Sequence, residues 1–364
     1  MSVDFAAVLT RMVEVKASDV HLSPGFAPAV RVRGRITPLE DHAPLTPQDT
    51  REIVYSILND AQRKKFENQQ QLDFAYMIPG VARFRVNCFF QRGAISAAFR
   101  HIPEVIEGLD TLGLPLVLEE FTRKPRGFVL VTGPTGSGKS TTLASMVDMI
   151  NEEREEHILT IEDPIEFLHI HKKGTVHQRE LHSDTPTFAL ALRAALRQAP
   201  KVILVGEMRD RETIEVALTA AETGHLVFST LHTIDASKTV ERIIGTFEAA
   251  DQQGVRARMA ACFRYIISQR LVPKKKGGRL AVLEILKATL RTREYLEEGE
   301  GDGRSLLDAM RDGELDGMQH FDGEIERLVR SDAITFTTAM LYATNAGNLR
   351  VQLADIAQHE EVSA

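Results

Sequence analysis

The sequence predicts an α/β protein whose larger part is a parallel sheet covered by helices, and three observations carry that expectation. From about residue 125 to 285, strand-like and helix-like stretches alternate, the pattern of a sheet with crossover helices on its faces. Within that region, an apolar run from Phe128 to Val131 leads into Gly133-Pro134-Thr135-Gly136-Ser137-Gly138-Lys139-Ser140-Thr141, which meets G-x-x-x-x-G-K-[ST] at every required position. Before it, residues 1 to about 105 mix short strands with helices as a smaller α/β domain.

In chain order, Val3 to Val15 reads as a helix. Asp19 to Ser23 and Ala29 to Ile36 read as strands, Pro47 to Asn59 as a helix, and Ala82 to Phe89 and Ala94 to Arg100 as strands. Arginine alternates with apolar residues at Arg31 and Arg33 and again at Arg83 and Arg85, so one sheet face is cationic while the other meets a core. Residues 106–124 read as a linker. The expected strands of the second region are Phe128–Thr132, His157–Ile161, Val202–Val205, Leu226–Leu231 and Leu280–Ile285. From 286 to 364 the chain is polar and helical, with a glycine-rich break from Gly299 to Gly303.

Bulk properties narrow the function. The chain has 364 residues, 43% hydrophobic and 26% charged, with a net charge of −7. These values describe an ordinary globular protein and give no case for nucleic-acid binding, which shows as a basic excess. No apolar run approaches a membrane span and no signal peptide is evident, so a cytoplasmic location is expected. The two cysteines, Cys88 and Cys262, sit far apart in apolar patterns and read as core residues.

The phosphate-loop pattern has a physical logic. Glycines without Cβ let successive backbone N–H groups curl around phosphates, and the following helix adds its positive end. Lys139 is a point charge for the β/γ-phosphates and the Ser140 hydroxyl a ligand for Mg²⁺. Three acids, Glu162, Asp163 and Glu166, follow the strand that ends at Ile161. The apolar run Val202–Val205 has the form of a Walker B strand and delivers Glu207, placed to act on Mg²⁺ through a water or on the attacking water itself. It departs from the common form because Gly206, not aspartate, precedes the glutamate. His225 and His232 bracket the strand Leu226–Leu231. Seven residues apart, they fall on opposite faces and make no metal pair; one of them, at the sheet's ligand edge, reads either as a phosphate sensor or as a hydrogen-bonded core histidine. Arg193 and Arg197 share one helix face and read as solvated. The run Lys274–Arg279 reads as a solvated loop or a contact for acidic headgroups or an inner-membrane protein.

Taken in order, SDVHLS, VRVRGRI, GPTGSGKSTT, TIEDPIEF, LRAALR, ILVGEMRDRET and TGHLVFSTLHT resemble the secretion and type IV pilus ATPase family, specifically its retraction (PilT/PilU) branch, from about residue 5 to about 350. The resemblance implies a RecA-like P-loop NTPase core at 125–285, an N-terminal PAS-like α/β domain at 1–105 and a C-terminal helical region at 286–364. It implies ATP and Mg²⁺, a homohexamer, and a cytoplasmic motor for pilus retraction held peripherally at the inner membrane by a platform protein. Glu166 becomes the candidate general base, Glu207 the Walker B glutamate, and His225 and His232 the histidine box. Arg85 and Arg100 sit where the family has arginines that reach the nucleotide's phosphates; Arg83 and Arg92 match less closely. The segment Leu290–Gly299 puts Glu297 where a basic residue is usual, and residues 198–201 replace an acidic flank. The first resembles the auxiliary PilU-type paralogue, which works beside a partner retraction motor, or a divergent PilT; the second is more like PilU. Extension and type II secretion ATPases share the core but carry a long N-terminal extension and a four-cysteine zinc module, neither of which matches this sequence.

Overall fold

The structure, a computed structural model, describes residues 4–32, 34–103, 105–301 and 303–356; Val3, Arg33 and Asp302, which entered the expectations above, lie outside them. The chain divides into two compact units, Met1–Val105 with Glu166–Leu168, and Ile106–Ile165 with His169–Ala364.

The first unit is one antiparallel sheet with helices. Its strands are β1 (Asp19–Leu22), β2 (Ala29–Val32), β3 (Arg35–Pro38), β4 (Gln71–Ile78), β5 (Ala82–Gln91) and β6 (Ala94–Ile102), in the order β3-β2-β1-β6-β5-β4. Helix Phe5–Glu14 begins where the Asp4 carboxylate accepts the Ala7 N–H, and it buries Phe5, Val8, Leu9 and Met12. Alternation sorts β5 cleanly: Ala82, Phe84, Val86 and Cys88 are buried in the core, while Arg83, Arg85 and Asn87 are half-buried. Burying Phe66, Phe84 and Phe99 completely contributes about 2–3 kcal/mol each. The single strand expected over Ala29–Ile36 is a hairpin, β2 and β3, closed by pairing of Val32 with Arg35. Arg92, with φ +48°, sits in the tight turn joining β5 to β6.

The second unit holds a seven-stranded sheet in the order β13-β12-β7-β11-β10-β8-β9. These strands are β7 (Gly127–Thr132), β8 (His157–Glu162), β9 (Thr175–Glu180), β10 (Val202–Val205), β11 (Leu226–Leu231), β12 (Phe263–Pro273) and β13 (Arg279–Lys287). All pairings are parallel except that of β13 with β12. The inner strands β7, β10 and β11 read as near-continuous apolar runs because both faces are covered. Phe128 and Leu130 of β7 pack on one side with Ile203 and Val205 of β10, and Val129 and Val131 pack on the other with Val202 and Leu204.

Two strands of this sheet carried too weak a sequence signal. β9 is polar, as an edge strand can be. β12 leaves helix Ala249–Cys262 directly at Phe263, with no glycine or proline to mark the change. Its far half turns away from the nucleotide-fold core: Val272 and Val282 pack with Phe321, Ile325, Leu349 and Leu353 of the C-terminal helices. Arg270 fastens this layer, its guanidinium lying 3.7 Å from the Phe321 ring centre and donating to the Tyr342 carbonyl at 2.8 Å. In the stretch expected to be a linker, the structure has a short helix, Val117–Thr122, whose Leu118 and Phe121 are buried in the second unit's core. Burial pushes the thiols of Cys88 and Cys262 up to about 12, so both are unreactive packing residues.

Glu284 of β13 is buried, as is Glu180 of β9. The Glu284 carboxylate accepts the Ala236 N–H at 2.8 Å. Burial, with Asp235 nearby, pushes its pKa from 4.5 to about 7 against the opposing hydrogen bonds and Arg270. A raised carboxyl pKa means the fold keeps a proton that the unfolded chain releases, so stability declines as pH rises from about 4.5 to about 7 and levels off above. Glu284→Gln keeps the acceptor and removes the titration. Compared by melting temperature across that window, wild type should lose stability relative to the variant as pH rises; a constant difference would mean that Glu284 stays ionised in the fold.

Candidate functional site

Strand order alone gathers three sequence-distant segments. β7, β11 and β10 are neighbours, and each releases a polar segment at its C-terminal end, where ligands of open parallel sheets lie: Gly133–Ser140 after β7, His232 after β11 and Glu207 after β10. The phosphate loop then opens helix Lys139–Glu153. Gly133 has φ +146°, and a Cβ there would stand 2.3 Å from the Gln269 carbonyl oxygen, so only glycine passes.

Lys139 is buried, and its ammonium donates to the Gly133 and Pro134 carbonyls at 2.8 and 3.0 Å. Its pKa is lowered by burial, with Glu207 pulling the other way. His232 bridges the cation and the acid: Nδ1 is 3.5 Å from Lys139 Nζ, and Nε2 is 3.6 Å from Glu207 Oε2. An ammonium only donates, so Nδ1 meets it with a lone pair and Nε2 carries the proton toward Glu207. Burial raises the Glu207 carboxyl, but the Arg209 guanidinium at 2.6 Å, with His232 and Lys139, outweighs it and holds the pKa below the usual glutamate range. Glu207 is therefore ionised at neutral pH.

His225 is at the opposite end of β11, about 20 Å of strand from His232, and its Nδ1 faces the Ala220 carbonyl at 2.9 Å. Arg85, Arg100 and Glu166 belong to the first unit. There Arg85 Nη1 is 3.5 Å from Glu166 Oε1, and Arg100 donates to Asp19 at 3.0 Å. Arg85 and Arg100 are cross-strand partners on β5 and β6, so two positive charges stand side by side, offset by these acids. Asp19 was missed because an acid at the start of a short strand carries no motif; its role shows only in the pairing of β1 with β6. Arg193 pairs with Glu212, and Lys275 of the basic loop pairs with Asp332.

The residues present suit a nucleotide and its cation. The Ser137 hydroxyl is buried in the loop with no hydrogen-bond partner, and Ser140 is exposed at the first helical turn. Among the described residues no group of three or more histidines, cysteines or acids is placed to hold a metal by itself, so a cation here would draw most of its ligands from phosphates and water.

Comparison with known proteins agrees with this geometry. Residues 3–281 match the family model described as type II/IV secretion system protein. The type IV pilus retraction ATPase PilT of Pseudomonas aeruginosa is 46% identical over 91% of this chain and 96% of its own. The same organism's type IV pilus ATPase PilU is 39% identical over 96% of this chain and 91% of its own. A crystal structure of the pilus retraction motor PilT with bound ADP superimposes with a TM-score of 0.87 at 45% identity, covering 94% of this chain and 98% of that one. The chain belongs to the type II/IV secretion system protein family. Within it, the chain falls in the pilus-retraction ATPase branch, with the RecA-like α/β core that the sequence predicts.

The departure at Gly206 has a structural reason in this member of the type II/IV secretion family. Its N–H donates to the Ile161 carbonyl at 2.7 Å, locking β10 to β8. A Cβ at 206 would stand 3.2 Å from both Glu162 Cα and the Ile161 oxygen, which is backbone and yields little. Gly206→Ala should therefore lower stability by about 1–2 kcal/mol, and Gly206→Asp by more, in urea titrations. An unchanged midpoint for the aspartate variant would contradict this packing account.

Proposed function

We propose that this chain is the subunit of an ATP-hydrolysing motor that powers retraction of type IV pili. The observation that carries the reading is the convergence of Lys139, His232 and the ionised Glu207 on the phosphate loop, in a chain alike over nearly its whole length to a retraction ATPase. Gly133 to Thr141 would cradle the phosphates, Lys139 would exchange its loop carbonyls for the β/γ-phosphates, and Ser140 would supply a hydroxyl ligand to Mg²⁺. When bound, the cation neutralises charge on the phosphate oxygens. Glu207 orients or deprotonates the attacking water, alone or with Glu166 as general base, and His232 reports γ-phosphate occupancy to both Lys139 and Glu207. Arg85 and Arg100 supply positive charge where the transferred phosphoryl spreads its negative charge, the point at which such charge accelerates most.

The motor reading includes a homohexamer on the cytoplasmic side of the inner membrane, attached through a platform protein, and it includes no nucleic acid. Among the described residues no helix is long and apolar enough to cross a membrane. One observation favours an auxiliary, PilU-like role as a second reading: Glu297 lies exposed on helix Leu290–Glu298, at a position where the retraction branch usually has a basic residue.

Lys139→Ala should abolish measurable turnover, and Glu207→Gln should lower kcat by about 100-fold or more while ATP still binds. Phosphate release at wild-type rate in both variants would refute the assigned roles. Deleting the gene should leave cells with more surface pili and no twitching; bald cells would indicate extension, and unchanged twitching would indicate the auxiliary role.

A further inference from the structure

We propose that Gln269 is a positioning residue of the phosphate loop, an inference that rests on the nucleotide reading above. Gln269 lies on β12, the strand beside β7, and is 2% exposed. Its carboxamide faces the loop from the sheet side. Nε2 donates to the Ser137 carbonyl at 2.7 Å, and Oε1 accepts from the Thr142 hydroxyl at 2.8 Å. The orientation is chemically fixed, because a carbonyl can only accept. One side chain thus ties the middle of the loop to the first turn of the helix that follows it.

The backbone of the same residue sets the loop's other end, since its carbonyl oxygen is the atom that a Cβ at Gly133 would strike. A Cβ at Gly138 would stand 2.8 Å from Nε2, so the amide also lies directly beneath the helix entry. Gln269 is itself held: Arg270, the next residue, is anchored on Phe321 and the Tyr342 carbonyl, and the preceding Ser268 hydroxyl meets Thr132 at 3.1 Å. Within the loop the backbone closes one turn, Ser137 N–H to the Pro134 carbonyl at 3.2 Å, and its remaining shape must be held from outside. Gln269 adds that hold from the sheet side, through the Ser137 carbonyl and the Thr142 hydroxyl, without occupying a loop N–H.

A brace of this kind acts equally on bound ATP, on the transition state and on ADP. Its loss therefore appears in binding more than in turnover. Gln269→Met, of similar volume, should raise the KM for ATP and the Kd for ADP about ten-fold while kcat stays within about three-fold. Thr142→Val, which removes one of the two bonds, should raise KM by about two- to five-fold, and the double variant should be no worse than Gln269→Met alone. A purely structural role predicts instead a lower melting temperature and fewer active molecules at unchanged KM. KM within two-fold of wild type in Gln269→Met, beside a dead Lys139→Ala control, overturns the proposal and leaves the nucleotide reading standing. Full turnover in Lys139→Ala overturns both. If Gln269→Met does not fold, Thr142→Val decides, and an unchanged KM there overturns the proposal.

Discussion

Within the loop Gly133–Ser140 the backbone closes one turn, Ser137 N–H to the Pro134 carbonyl at 3.2 Å, which by itself does not fix the loop's path. The shape of Gly133–Ser140 therefore depends on what grips its other side. In this protein the grip comes from β12: the Gln269 amide bonds the Ser137 carbonyl and the Thr142 hydroxyl, and the β12 backbone passes so close to Gly133 that no side chain fits. Lys139 completes the arrangement by donating to the Gly133 and Pro134 carbonyls.

Charge around the loop is arranged as a relay with His232 in the middle. A buried ammonium and a half-buried carboxylate would interact strongly if nothing separated them. The imidazole stands between them, one nitrogen toward each, and Arg209 takes up the remaining charge of Glu207. Any anion that draws Lys139 away from its carbonyls changes what His232 faces, and through it what Glu207 faces. The relay is built from three strand ends that are neighbours only because of the order β7-β11-β10.

The first unit follows a different electrostatic rule. Arg85 and Arg100 are direct cross-strand partners, a repulsive placement that the sheet tolerates because Glu166 and Asp19 stand against them. Both guanidiniums remain partly exposed, so the opposing acids hold them without burying them. Such pairs are weak in water and readily exchanged for a stronger anion.

Local chemistry made much of this protein legible from residue order alone. The loop pattern, the apolar runs of β7, β8, β10 and β11, and the alternation of Arg83 and Arg85 with Phe84 and Val86 each express a rule of spacing, and spacing is written in sequence. Glu207 and His232 could be named for the same reason, since each ends an apolar strand. Tertiary structure decided what spacing cannot express. It put His232 between Lys139 and Glu207 and His225 at the far end of the same strand. It revealed β12, which starts straight from a helix with no punctuation, and with it Gln269, more than a hundred residues from the loop that it supports. It explained Gly206 by the closeness of the β8 backbone. Contacts between segments distant in the chain depend on strand order and on ångström-scale approach, and neither leaves a periodic trace in the residues themselves.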